Sequence, residues 1–194
     1  MDALVLSALG VDPVHGSAVS AVLLEALAAR SFKVQVVDVV AADVHGCRGC
    51  GSCGLKTPGR CVIEDDMQEI YPRIVSSDLM VYATPVSFGA HRSELKRVLD
   101  RFQPLMVPFY LLRDGEMNFR PRYPRRPALL GVGVLSAPDA DQEEAYRLLI
   151  ARHASNMAAP ARATAVLTAV NPAEALRASV DTALDSLGLC GSAA

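Results

Sequence analysis

An open, doubly wound α/β fold is what this sequence predicts: a five-stranded parallel sheet in the order 2-1-3-4-5, with helices on both faces. Three observations carry that reading. Short apolar runs alternate with helical periods along the whole chain, which makes five β-α units. No internal repeat or low-complexity segment interrupts them. The 194 residues suit a single domain with a sizeable core, expected over 1–188, with 189–194 as a disordered tail.

Each element has its own signal. Ala3 to Leu9 reads as the first strand. The helix behind it carries Val19, Val22, Leu23, Ala26 and Leu27, the stripe that faces a sheet. Val34 to Val40, rich in β-branched residues, is the second strand. A helix with Met67, Ile70, Tyr71, Ile74 and Val75 on one face starts at Asp65 or Asp66, either of which can cap it, and Pro72 should kink or restart it. Leu79 to Ala83 is the third strand, and Leu95, Val98, Leu99 and Phe102 mark the next helix. Residues 103–127 break the rhythm with five prolines, and Arg120, Arg122, Arg125 and Arg126 crowd this stretch. This excursion reads as a solvated, extended loop, with a phosphate site for NADPH or a subunit contact as the alternatives. Ala128 to Leu135 resumes as the fourth strand, followed by a helix with Tyr146, Leu149 and Ile150. Ala163 to Val170 is the fifth. The last helix has Asn171 as expected cap, Pro172 at its first position and Gly188 at its end.

Composition narrows the function classes. The 19 basic and 21 acidic residues nearly cancel, which argues against general nucleic-acid binding. No apolar run is long enough to span a bilayer, and Met1 to Ser7 reads as a strand without a basic leader, so a cytoplasmic home is expected. With 51% hydrophobic residues, part of the surface is expected to be covered in a homodimer or homotetramer.

In this architecture ligands bind outside the carboxyl ends of the strands, at the switch between strands 1 and 3. The chemistry is therefore expected on one rim, in the loops after strands 1, 2 and 3. The first loop holds Gly10, His15, Gly16, Ser17, Ala18, Val19 and Ser20, whose backbone N–H groups and hydroxyls at a helix start suit an anion. An ordinary turn capped by Ser17 is the competing reading. The third loop, Thr84, Pro85, Val86, Ser87, Phe88 and Gly89, offers peptides and an aromatic surface to a planar ring, unless Phe88 simply packs inward. Ser136, at the end of the fourth strand, completes this set.

The second loop is the most distinctive stretch. Cys47, Cys50, Cys53 and Cys61 are spaced C-x2-C-x2-C-x7-C among glycines, and three thiols in strict succession point to one compact object, as in iron–sulfur clusters. Zinc or free thiols are the alternatives, and Cys190 reads as incidental. Arg48, Lys56 and Arg60 flank the loop and can offset a negative cluster or steer an acidic electron carrier.

The cysteine spacing, the run Val62 to Met67, the loop Thr84 to Gly89 and the helix end Leu99 to Phe102 together resemble the NAD(P)H-dependent FMN reductase family, and more narrowly its iron-sulfur flavoproteins. The resemblance covers about half the chain. It implies a flavodoxin-like fold, FMN in the first and third loops, and a 4Fe-4S cluster on Cys47, Cys50, Cys53 and Cys61. It also implies a homo-oligomer that takes electrons from NAD(P)H or a ferredoxin-type donor and gives them to a small acceptor. The chain departs from the family pattern where Ala18 and Val19 replace side-chain donors, and where Ser87 replaces an aromatic.

Overall fold

The computed structural model describes residues 1–10, 16–113 and 115–189. His15, Cys190 and the rest of the tail from 190 lie outside the described residues. The parallel strands are β1 (Asp2–Ser7), β2 (Lys33–Asp38), β3 (Leu79–Ser87), β7 (Ala128–Leu135) and β8 (Arg162–Thr168), and they line up as β2-β1-β3-β7-β8. That is the expected 2-1-3-4-5 order, and all four neighbouring pairs are parallel. A short strand β4 (Ala90–His91) folds back antiparallel on the end of β3, pairing Val86 with His91.

Two apolar layers hold the sheet. Helices α1 (Gly16–Ala29) and α6 (Ala173–Ser186) cover one face, with Val19, Val22, Leu23, Ala26 and Leu27 in that core as the stripe requires. Helices α3 (Met67–Ser76), α4 (Ser93–Leu99) and α5 (Ala140–Met157) cover the other, burying Met67, Ile74, Leu95, Val98, Tyr146 and Ile150. Strand β7 is buried along its whole length, as a central parallel strand must be.

Several local expectations are corrected. The described first strand ends at Ser7, and β3 runs four residues past Ala83, because β4 gives its end a partner. Helix α3 continues through Pro72 without interruption. Ser17 lies inside the first turn of α1 and is no cap. Pro172, not Asn171, occupies the cap position of α6; the Asn171 N–H instead closes a turn on Thr168 O at 2.9 Å. The proline-rich excursion contains an antiparallel hairpin, β5 (Met106–Arg113) and β6 (Glu116–Pro121), with Tyr110 stacked on Phe119. Prolines 104, 108 and 121 sit at its ends and irregular pairing, where a missing N–H costs no ladder bond.

Candidate functional site

The first and third loops meet where β1 and β3 end. The Ala8 N–H donates to Ala83 O at 2.7 Å, and Gly16 is packed so close that a Cβ there would stand 2.7 Å from Gly10 O. Gly16 thus leaves no room for a side chain between the start of α1 and the end of β1. Ser17 and Ala18 are exposed and Ser20 is half-buried, but the Val19 side chain is 1% exposed and belongs to the core, so only its backbone is left to the loop.

The turn after β3 is sharper than an ordinary β-α connection. Phe88 and Gly89 have φ of 52° and 69°, a left-handed pair, and Phe88 is 96% exposed. The inward-packing reading of Phe88 is therefore wrong: the left-handed turn throws its ring outward. Thr84 is fully buried; its hydroxyl accepts from the Arg92 N–H at 3.1 Å and donates to Pro85 O at 2.9 Å, fixing the turn from below. Pro85 is half-buried, Val86 buried, and Ser87 and Ser136 are exposed. Gly89 lies against α5, where a Cβ would stand 2.5 Å from Ala145 Cβ.

Arg92 is a residue that sequence reasoning missed. Its guanidinium reaches across from the start of α4 to Gly10, with Nη1 3.8 Å from where a Gly10 Cβ would be, while Nε donates to Glu94 at 3.1 Å. An arginine following the Phe88–Gly89 turn was the available signal. The crevice thus has the start of a 14-residue helix, a cation and an outward aromatic ring, a set that fits an anionic group joined to a planar ring.

Behind the turn, His91, His153, Tyr82 and Tyr146 form an edge-to-face aromatic cluster, with His91 and His153 centroids 5.1 Å apart. Both His91 nitrogens and the Tyr146 hydroxyl are buried without a partner. Burial, together with His153 and Lys96 nearby, pushes the His91 pKa down to about 3, so the ring is neutral.

The cysteine loop leaves the same carboxyl edge as the turn, because β2 and β3 both run parallel to β1. The two are separated along α4: the turn precedes the helix, whereas the cysteine cavity borders Asp100 and Gln103, after its end. Seven residues of helix lie between, roughly 10 Å at 1.5 Å each. All four cysteines border one cavity of about 390 Å³, closed by Pro108 and Phe119 of the hairpin. None of the four is in a disulfide; Cys47 and Cys50 are exposed and Cys53 and Cys61 half-buried.

Local structure aims them. Gly49 and Gly51 adopt φ of 62° and 68°, letting the chain double back into a single helical turn, α2 (Ser52–Leu55). The Gly49 N–H donates to Cys47 Sγ at 3.5 Å. Burial and the neighbouring Cys61, Cys47 and Cys50 push the Cys53 thiol up, whereas hydrogen bonds from Ser52 bring Cys50 down. Among the described residues, no three His, Cys, Asp or Glu side chains converge as ligands of a single ion.

Of the cations named from sequence, Arg48, Lys56 and Arg60 are exposed around the loop, with Arg60 3.5 Å from Glu64. Arg122 is not a free phosphate ligand: it donates to Pro104 O and Met106 O at 2.9 and 3.0 Å. Arg125 is paired with Asp78 at 2.5 Å. A second cavity, about 480 Å³ and lined by His153, Lys96, Tyr110 and Met117, shares Asp100, Gln103 and Phe119 with the first.

The sequence profile of the NADPH-dependent FMN reductase family matches residues 4–167. Curated relatives include an iron-sulfur flavoprotein of Methanocaldococcus jannaschii, 32% identical over 88 residues that cover 45% of each chain. Another, from Methanosarcina thermophila, is 36% identical over 78 residues, 40% of each chain. The aligned part thus spans less than half the length of these relatives. In fold, the chain is similar to an NAD(P)H:quinone oxidoreductase from Methanothermobacter marburgensis, with a TM-score of 0.70 at 13% identity over 94% of this chain and 95% of that one. It is also similar to an FMN-dependent NADH-azoreductase from Bacillus anthracis in complex with FMN, with a TM-score of 0.65 at 13% identity over 98% and 99% of the two chains.

Proposed function

Because this chain belongs to the NADPH-dependent FMN reductase family, with a flavodoxin-like fold, we propose that it is an FMN-containing, NAD(P)H-dependent oxidoreductase that also carries a 4Fe-4S cluster. The observation that carries the second half is the single cavity bordered by Cys47, Cys50, Cys53 and Cys61. Bound FMN handles one or two electrons and a cluster handles one, so the pair converts hydride chemistry into single-electron chemistry.

The chain's own residues supply position and charge. Backbone amides of Gly16 to Ser20 and the Arg92 guanidinium would hold the phosphate end; Ser17 and Ser20 would add hydroxyls. Thr84 to Gly89 present their peptides to the ring, with Phe88 against its face or its edge and Ser136 on the neighbouring strand end. The four cysteines ligate iron. Arg48, Lys56 and Arg60 moderate the negative charge and attract an acidic, ferredoxin-type donor. A small planar acceptor such as a quinone fits the 480 Å³ cavity beside the loop. Exposed Phe88, Phe109, Leu112 and Met117 support a homodimer or homotetramer.

Anaerobic purification followed by an absorption spectrum and parallel flavin, iron and sulfide analysis tests this function. One FMN and acid-labile sulfide per chain are expected. Flavin without sulfide leaves a cluster-free FMN or quinone reductase. A colourless protein that takes up no FMN rejects both and leaves a cofactor-free interaction module.

A further inference from the structure

Arg101 was not among the candidate residues, yet it is the largest fully buried side chain among the described residues, 1% exposed. It follows the end of α4 and reaches both ends of the cysteine loop. Its Nη1 donates to His45 O and to Asp65 Oδ2, each at 2.7 Å, and its Nη2 to Asp65 Oδ1 at 3.1 Å and Ile63 O at 3.3 Å. His45 stands two residues before Cys47, and Ile63 two after Cys61. Asp65 closes the same gap from the other side, accepting from the His45 N–H at 2.9 Å and the Met67 N–H at 3.1 Å. The Tyr71 hydroxyl in turn donates to Arg101 O at 2.7 Å.

We infer that Arg101 is the positioning residue of the cysteine loop, clasping its two ends so that the four thiols face one cavity, and supplying a buried positive charge to an anionic, thiolate-bound cluster there. The inference rests on the proposed cluster. Closing a long glycine-rich loop costs chain entropy, and a fork bonded to two carbonyls and a carboxylate meets that cost at one point. Lysine has one compact ammonium group and cannot span these acceptors. The Arg101 Nε–H is in addition buried without a partner, a donor left over after both ends of the loop are held.

The test uses the full chain reconstituted anaerobically with iron and sulfide. Acid-labile sulfide, iron release to a ferrous chelator, the cluster's midpoint potential, FMN content and the thermal midpoint are measured for wild type, Arg101→Lys, Arg101→Gln and Tyr71→Phe. Both Arg101 variants are expected to release iron about 10- to 100-fold faster than wild type, as for other residues that orient metal ligands. The potential is expected to fall in Arg101→Gln, which leaves Asp65 uncompensated, and to recover partly in Arg101→Lys. Wild type without sulfide rejects the cluster itself. Wild type with sulfide, but with release rate and potential unchanged in Arg101→Gln, overturns the role of Arg101 alone. A residue that only stabilised the fold would lower the thermal midpoint and leave the potential unmoved, which also overturns it. Should neither Arg101 variant be soluble, Tyr71→Phe decides: faster iron release supports the clasp, and a wild-type rate overturns it.

Discussion

Arg101 and Asp65 form a bidentate ion pair, 2.7 and 3.1 Å, in which both side chains are essentially sealed from solvent. Of the two acids the sequence offers as cap of α3, Asp66 takes the cap position and Asp65 becomes the buried countercharge. Taking such ions out of water is costly, so the pair is stable as a unit and each member is hazardous alone.

Asp65→Asn is expected to destabilise the protein by about 3–5 kcal/mol at neutral pH, the usual range when one partner of a buried pair is removed. Burial raises the Asp65 pKa, but the Arg101, His45 and Met67 hydrogen bonds outweigh it and hold the carboxyl below its ordinary value. Its contribution is therefore complete above the unfolded value of about 3.9 and is lost as pH falls through the lower folded value. Urea unfolding from pH 7 to pH 2 should show the gap between wild type and variant closing only at the acid end.

His91 acts in the same direction, in a higher pH window. Its folded pKa is depressed to about 3, so the unfolded chain binds more protons between there and its ordinary value of about 6.5. Stability is full above that window and erodes as pH falls through it. His91→Phe keeps a ring against Tyr82, Tyr146 and His153 and removes two unpartnered nitrogens. A flatter stability profile between pH 6.5 and pH 3 is expected, and an unchanged slope would show that His91 is not its source.

Gly89→Ala should be destabilising by about 1–3 kcal/mol, from left-handed strain and overpacking together. The new Cβ meets Ala145 Cβ at 2.5 Å, on a short side chain that cannot swing aside. Thermal unfolding checks the stability, and flavin titration checks the turn, where weaker FMN binding is expected.

Phe88→Gly separates strain from contact. An exposed phenylalanine at φ 52° costs about 1–2 kcal/mol of backbone energy that glycine does not incur. The variant should be at least as stable as wild type without cofactor, yet bind FMN more weakly or elute as a smaller species. Equal affinity and equal size would remove Phe88 from the site.

Cys50→Ser is expected to prevent full iron and sulfide loading while the protein stays soluble, since Cys50 is exposed and supports no core contact. Iron and sulfide equal to wild type would take Cys50 out of the ligand set.

The sequence by itself determined the sheet order, both helical layers and the cysteine loop, because these rest on local signals: apolar period, β-branched runs and fixed spacing. Where β7 is continuous and apolar, even its ends agree. Only the tertiary structure decided which residues from distant elements meet. Arg101 is buried because the end of α4 carries it between His45 and Ile63, and Arg92 acquired its role only by crossing to Gly10. It also decided that the turn of Phe88 and the cavity of the cysteines lie beyond opposite ends of α4. Long-range pairing of this kind leaves no periodic trace in a chain, because burial of a charge depends on the partners that folding brings to it.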